Sequence, residues 1–355
     1  METIAKYRKK LAEIRQSGEK LRSRQLAERI GISELELLSL ELSDDIIRLN
    51  DDCKGMLLDM HEMGYVMALS RNEHCVHERK GVYDNIEFYE GAHNMGVAVN
   101  PDIDLRFFMS QWVYAMAVIM RRDKGKDLYS FQFYNERGEA VHKIFSTPKS
   151  DLDAYHKLVD KYRAKEQTPI LVEDRRKSEP KEEKPDSEVD VAAFQEAWRN
   201  MTDTHQFFGM LRKHGVSRTQ AFRLAPPEMV DEVDRLAVSE ILEKAAEKET
   251  PIMCFVHSPG CVQIHSGPVK KLVWYGDWYN VMDPKFNLHL DTTAIDRCFV
   301  VRKPTDDGMV TSLELFDKEG QLIVYFFGAR KPGFPELIEW RNLLENLIAE
   351  RRQTA

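Results

Sequence analysis

Of the eleven histidines in the sequence, His205 is set apart by its neighbours. In the segment MTDTHQFFGMLRKHG (201–215), Asp203 reads as a helix N-cap, Gln206 three residues on as the far side of a capping box, and Gly215 as the C-terminal stop. His205 then falls in the first helical turn. The positive end of the helix dipole disfavours an imidazolium there, which leaves a neutral ring with a lone pair to offer a metal. Phe208 lies three residues on, and Leu211 and Arg212 six and seven on, so one helix face is apolar near the ring and basic farther out. Those residue types suit a flat apolar metal complex with anionic edges, which describes haem: an iron, a porphyrin plane and two propionates. A capping or core histidine fits the same residues, and spacing by itself does not choose.

Other chemistries lack their sequence support. GxxxxGK[ST], GxSxG and HExxH do not occur and no GxGxxG follows a strand, which argues against phosphate loops, serine hydrolases and zinc proteases. His74 and His77 sit three apart in a strand-like stretch, where a period of two puts them on opposite faces, so they do not read as a metal pair. The segment LAERIGISELEL (26–37) has the helix, glycine turn, helix pattern of a DNA-reading motif, but its second helix would turn Glu34 and Glu36 toward phosphates. With 51 Lys and Arg against 59 Asp and Glu the net charge is −8, and no nucleic-acid partner is expected. The five cysteines are odd in number, widely spaced and form no CxxC, which points to neither a disulfide framework nor a structural zinc. The N-terminus lacks the apolar core of a signal peptide and no uncharged apolar run approaches the ~20 residues needed to cross a bilayer, so a cytoplasmic protein without membrane insertion is expected.

The elements that must position His205 emerge from an internal comparison. Across 355 residues, 43% of them hydrophobic and 31% charged, the strongest break in composition is 165–190, where charge and three prolines crowd out apolar residues, as in a solvated linker. The flanking pieces match each other. SFQFYNERG (130–138) aligns with SLELFDKEG (312–320), each an alternating strand and a polar turn, followed by a second strand at 139–145 and 321–327. VNPDIDLR (99–106) aligns with MDPKFNLH (282–289), CVH (75–77) with CVQ (261–263), and GISE (31–34) with GVSR (215–218), all at offsets of 182 to 186 residues. The chain therefore reads as a tandem duplication in an α+β fold, with a repeat at 1–164, a linker at 165–190 and a second repeat at 191–355. Each repeat has a helical start, a run of antiparallel strands and a closing helix, at 151–164 in the first and 334–351 in the second.

Three segments, WRNMTDTHQFF (198–208), DLRFFMSQW (104–112) and RKPTDDGMVTSLELF (302–316), together with the duplication and the acidic linker, resemble the HemS/ChuS-type haem-utilisation proteins of Gram-negative bacteria. The resemblance covers nearly the whole chain. It implies two similar halves, each with a large antiparallel sheet and flanking helices, with haem in the cleft between them. Residue by residue, it makes His205 the proximal iron ligand and Arg106 a distal, catalytic arginine. It puts Arg218, Lys303 and Arg330 near the propionates and Phe108 against the macrocycle. His77, in the matching CVH segment, is the counterpart of a histidine that forms a second or transfer site in some members. Where the family has a tyrosine before the glycine of the final strand, this sequence has Phe327 before Gly328, with Tyr325 two residues earlier on the same strand face. The family is divided between degrading haem to release iron and carrying it to a separate haem oxygenase. The resemblance also implies delivery of haem by an ABC importer and, for degradation, electrons from NAD(P)H or a reductase. A dimer is compatible with the sequence.

Overall fold

The computed structural model describes residues 2–19, 21–91, 94–173, 183–331 and 333–354. The first half runs α1 (Glu2–Gln16), α2 (Ser23–Ile30), α3 (Glu34–Ser39), β1 (Ile46–Arg48) and α4 (Cys53–Asp59). Eight strands follow: β2 (Gly64–Arg71), β3 (Cys75–Val82), β4 (Ile86–Tyr89), β5 (Met95–Val99), β6 (Asp104–Phe108), β7 (Tyr114–Met120), β8 (Leu128–Tyr134) and β9 (Ala140–Ser150), before α5 (Leu152–Tyr162). The second half opens with α6 (Val191–Arg199), α7 (Gln206–His214), α8 (Arg218–Arg223), β10 (Val230–Val233) and α9 (Ala237–Glu247). It continues through β11 (Ile252–His257), β12 (Cys261–Gly267), β13 (Leu272–Tyr275), β14 (Trp278–Met282), β15 (Phe286–Asp291), β16 (Arg297–Thr305), β17 (Gly308–Phe316) and β18 (Leu322–Gly328) to α10 (Ile338–Thr354). The same order of elements thus occurs twice, as the internal matches require. The strands form two nine-stranded sheets, ordered β1-β7-β8-β9-β2-β3-β15-β14-β13 and β10-β16-β17-β18-β11-β12-β6-β5-β4.

The chain divides into two units. Unit 1 comprises Met1–Asn72, His77–Ser178 and His257–Gln263, and unit 2 comprises Glu73–Val76, Glu179–Val256 and Ile264–Ala355. Each has its own apolar core. That of unit 1 gathers residues such as Leu57, Val66, Phe107, Phe131 and Tyr155, and the larger one of unit 2 gathers Ile241, Val256, Leu313, Phe326 and Trp340. A second cluster in unit 2 matters most for function. Trp198 of α6, Phe207 and Leu211 of α7 and Phe222 of α8 pack on Phe299 and Phe316 of the sheet, all buried. At roughly 2–3 kcal/mol for each fully buried large apolar side chain, that packing holds α7 to the sheet.

The duplicated hairpins have one mechanism. In the β8–β9 turn the Asn135 side chain accepts from the N–H groups of Arg137 and Glu139, and in the β17–β18 turn the Asp317 carboxylate accepts from those of Glu319 and Gln321. Gly138 and Gly320 both have φ 72°, a left-handed conformation that a Cβ would strain. The closing helix of the second half begins at Ile338, four residues later than periodicity predicts: the Phe334 N–H closes a turn on the Lys331 carbonyl, and a proline at 335 disfavours helical backbone at the residue before it.

Two local expectations are refined. Residues 174–182 of the linker segment lie outside the described residues, and most residues of its two described flanks are exposed, but each flank is anchored at particular points. Ile170 and Val172 are buried, with their N–H groups donating to Ser39 Oγ and Glu36, and Glu183 and Asp186 pair with Arg223. In the helix-turn-helix-like segment, Glu36 is fully buried and caps α3 at Ser33, while Glu34 pairs with Lys143, so neither carboxylate serves a DNA-facing surface. All five cysteines are buried free thiols, and no helix among the described residues is long and apolar enough to cross a membrane.

Candidate functional site

Helix α7 carries the histidine, with one correction to its start. His205 is itself the N-cap residue, with no side-chain cap bond, and Asp203 lies two residues before it. Gln206 reaches back to Thr202, whose N–H donates to Gln206 Oε1 at 3.0 Å and whose Oγ1 accepts from Gln206 Nε2 at 3.0 Å. Asp203 does not cap the helix and serves His205 instead. Its Oδ1 accepts from the His205 backbone N–H at 2.8 Å and lies 2.7 Å from the ring Nδ1. The His205 N–H bonds, with a smaller contribution from the charge of Arg330, hold the Asp203 carboxyl below its usual range. An ionised carboxylate only accepts, so Nδ1 donates to it, and in the neutral ring the lone pair falls on Nε2. The His205 side chain is 93% exposed.

Beside α7 lies a buried cation pair that shares one carboxylate. Lys303 Nζ donates to Glu314 Oε1 at 2.7 Å, and Arg218 donates to Oε2 through Nε at 2.8 Å and a terminal nitrogen at 2.7 Å. Ser312 Oγ adds a third partner at 2.7 Å from Oε1. The Glu314 side chain is 0% exposed, and that of Lys303 4%. Burial pushes the Glu314 carboxyl up, but Arg218 and Lys303 outweigh it and hold the group at about 2. Burial and Arg218 bring Lys303 down to about 8 against the pull of Glu314, which leaves it charged at neutral pH. The trio carries one net positive charge.

Aromatic faces wall the cations in. Arg218 lies over the rings of Phe207, Phe208 and Tyr325 at 5.6, 5.3 and 5.3 Å, and Lys303 over Phe207 at 4.6 Å. Phe208, one turn on from His205, is half exposed. At the departure from the family pattern, Phe327 packs edge-on to Tyr325, and Tyr325 stacks on Phe255 with ring centroids 4.8 Å apart. Tyr325 thus keeps a phenol in this wall without occupying position 327.

Arg330 approaches the same end of α7. It pairs with Asp307 at 3.4 Å, Asp307 also accepts from the Gly333 N–H, and the adjacent Asp306 N–H donates to the Thr202 carbonyl at 2.9 Å. His205, Arg218, Lys303 and Arg330 therefore belong to one region of unit 2. Arg106, Phe108 and His77 belong to unit 1. Arg106 and Phe108 share a face of β6 with Asp104, whose carboxylate pairs with Arg106, and Leu105 and Phe107 fill the other, buried face. His77 is 0% exposed within β3. A ring at that depth offers no lone pair to a macrocycle unless β3 opens. His74, by contrast, precedes β3 and faces Asp317 at 3.7 Å, so the two histidines do part company, as their spacing requires. Among the described residues, no cluster of three or more His, Cys, Asp or Glu is disposed to hold a bare metal ion.

Glu314, and Asp203 as a histidine partner, join the candidate site residues only in the structure. A signal for Glu314 exists: it is the charged member of an otherwise uncharged strand, and its repeat counterpart is the neutral Gln132.

The chain matches the family model of the haemin-degrading HemS.ChuX domain twice, over residues 31–162 and 215–347. It is 36% identical to the hemin transport protein HmuS of Yersinia pestis, with 92% of each chain covered. It superposes with a TM-score of 0.91 on the crystal structure of holo-PhuS, a haem-binding protein from Pseudomonas aeruginosa, at 44% identity over 96% of this chain and 97% of that one. On ChuS, an E. coli haem oxygenase, the TM-score is 0.82 at 34% identity, over 92% and 95% of the two chains. Two copies of the domain, in a fold shared along nearly the whole length with these proteins, make this chain a member of the haemin-degrading HemS.ChuX domain family.

Proposed function

We propose that this protein binds haem through His205 of unit 2 and opens the haem ring as part of iron acquisition from imported haem. The observation that carries the reading is the Asp203–His205 pair. An imidazole whose Nδ1 is 2.7 Å from a carboxylate, on a side chain 93% exposed, offers Nε2 as an axial ligand in the way metal-ligating histidines are ordinarily oriented. Buried cations with aromatic walls fit the rest of the molecule: Arg218, Lys303 and Arg330 suit the carboxylates by charge-assisted hydrogen bonding, and half-exposed Phe208 suits an apolar plane.

Bound haem supplies the iron and the oxidisable macrocycle. The protein's residues bind and orient it. By the family resemblance Arg106, a donor with no acceptor, would supply a hydrogen bond and Phe108 an aromatic contact to bound haem. The reaction is assigned to the cytoplasm, with an ABC importer upstream and reducing equivalents from NAD(P)H or a reductase. The names of the Yersinia, Pseudomonas and E. coli relatives support haem as the ligand. Degradation is supported by the E. coli haem oxygenase and by the family description. A second reading, transfer of intact haem to a separate oxygenase, is supported by the name of the hemin transport protein of Yersinia pestis.

The test is a haemin titration of His205→Ala followed in the Soret region. Loss of the axial nitrogen is expected to weaken binding by roughly 10- to 100-fold or more, as ligand-shell changes do, and to shift the band. An unchanged band and affinity would overturn the assignment.

A further inference from the structure

We propose that Glu314 is the positioning residue of the cation pair, holding Lys303 in its charged form and fixing it beside Arg218 for a carboxylate ligand. The inference rests on the reading of this face as the carboxylate end of the haem site. Glu314 stands in the middle of β17, opposite Phe299 of β16 and Tyr325 of β18, with no exposed surface of its own. It therefore cannot meet a ligand directly. Everything polar around it converges on its two oxygens: Lys303 from β16, Arg218 from α8 and Ser312 from β17. The other titratable group on its face is Tyr325 of β18, buried and neutral, while Cys298 of β16, also buried and neutral, lies on the opposite face of the sheet with Leu313 and Leu315.

Two buried cations over one aromatic ring, that of Phe207, repel each other, and a buried ammonium without a counter-ion sheds its proton. Glu314 prevents both. Because it uses only one net charge to satisfy two cations, it leaves a positive charge for a ligand carboxylate to pair with. The repeat supplies an internal contrast. By strand register, Glu314 falls opposite Gln132, Lys303 opposite the half-exposed Met120 and Tyr325 opposite Lys143. In unit 1 Gln132 bonds to Ser130 and Tyr134, and the buried Lys143 pairs one to one with Glu34. A carboxylate at this strand position thus accompanies the two-cation arrangement of unit 2, whereas the single buried lysine of unit 1 has its own partner.

The pH profile of haemin affinity tests the role, because a purely structural residue would not move a titration. In the unaltered protein, affinity is expected to fall as pH rises through about 8, where Lys303 loses its proton. In Lys303→Met that alkaline limb should vanish. In Glu314→Gln it should move to lower pH by about one unit or more, since the lysine has lost its counter-ion, and Glu314→Asp should restore most of the shift. A Lys303-dependent limb that stays in place in Glu314→Gln overturns the role of Glu314 alone. A Lys303→Met protein with unaltered affinity and profile overturns the placement of the haem carboxylates here. If Glu314→Gln does not fold, the Glu314 side-chain carboxyl signal of the unaltered, haem-free protein decides by 13C NMR: it should stay ionised down to about pH 4, and titration in the ordinary glutamate range overturns the pairing.

Discussion

At the scale of single residues, the arrangement at His205 separates what spacing can reveal from what it cannot. The histidine's type, its place at a helix start and the phenylalanine one turn on are all local, and all are legible. The partner that orients the ring is also local, only two residues away, yet capping rules assign Asp203 to the helix end. In the structure no side chain caps α7, and the Asp203 carboxylate turns to the backbone N–H and ring of His205 instead. Glu314 was hidden for the opposite reason: Arg218 is 96 positions from it in sequence, and only the strand register brings them together. The depth of His77 follows from β3 being covered on the face that bears Cys75, His77 and Arg79, which a three-residue match does not convey. A prediction belongs at this scale. Asp203→Asn preserves the shape but removes the charge that fixes the ring, so haemin affinity should fall by roughly 10-fold or more, as loss of a histidine's outer partner typically does. Stopped-flow transfer of haemin to apomyoglobin would read the change as faster release, and an unchanged release rate would show that Asp203 does not orient the ligand.

At the scale of elements, the duplication was readable because hairpin turns have strict backbone demands. Asn135 and Asp317 begin turns of one geometry and Gly138 and Gly320 end them, and such positions change slowly in character even as the strands diverge. Helix boundaries were less readable: α7 begins at Gln206 without a side-chain cap, and α10 begins at Ile338, past Pro335, not where the hydrophobic period starts. What holds α7 in place is the aromatic cluster beneath it. Trp198 is fully buried, meets Phe207 edge-on with centroids 4.9 Å apart, and donates its indole N–H to the Arg302 carbonyl at 3.0 Å. Arg302 precedes Lys303, so the indole ties α6 and α7 to the strand that carries the buried lysine. Trp198→Ala should cost about 3–5 kcal/mol of stability, the usual range for truncating a buried aromatic, measured as the urea midpoint. A loss below about 1 kcal/mol would mean that α6 does not anchor the site.

At the scale of the whole molecule, the two repeats have kept one set of elements and parted in chemistry. At the offset of the Gly31 and Gly215 match, His205 falls opposite Leu21 and Arg218 opposite Glu34, which pairs with Lys143 in a balanced ion pair. The ligand and the cation are thus replaced together in unit 1, and one haem per chain is the expected stoichiometry. What becomes of that haem decides between the two readings. Reductant added in air to the stoichiometric haemin complex, with catalase present to remove free peroxide, gives them opposite spectra. Ring opening predicts loss of the Soret band and a new tetrapyrrole absorbance, abolished in His205→Ala because a haem without its axial nitrogen is no longer held for reaction. Carriage predicts a Soret band that persists until an acceptor protein is added and then moves to it. The exposure of His205 makes exchange easy in either case, so release to an acceptor alone does not argue for carriage; persistence of the ring under reductant does, and it would sink the degradation reading.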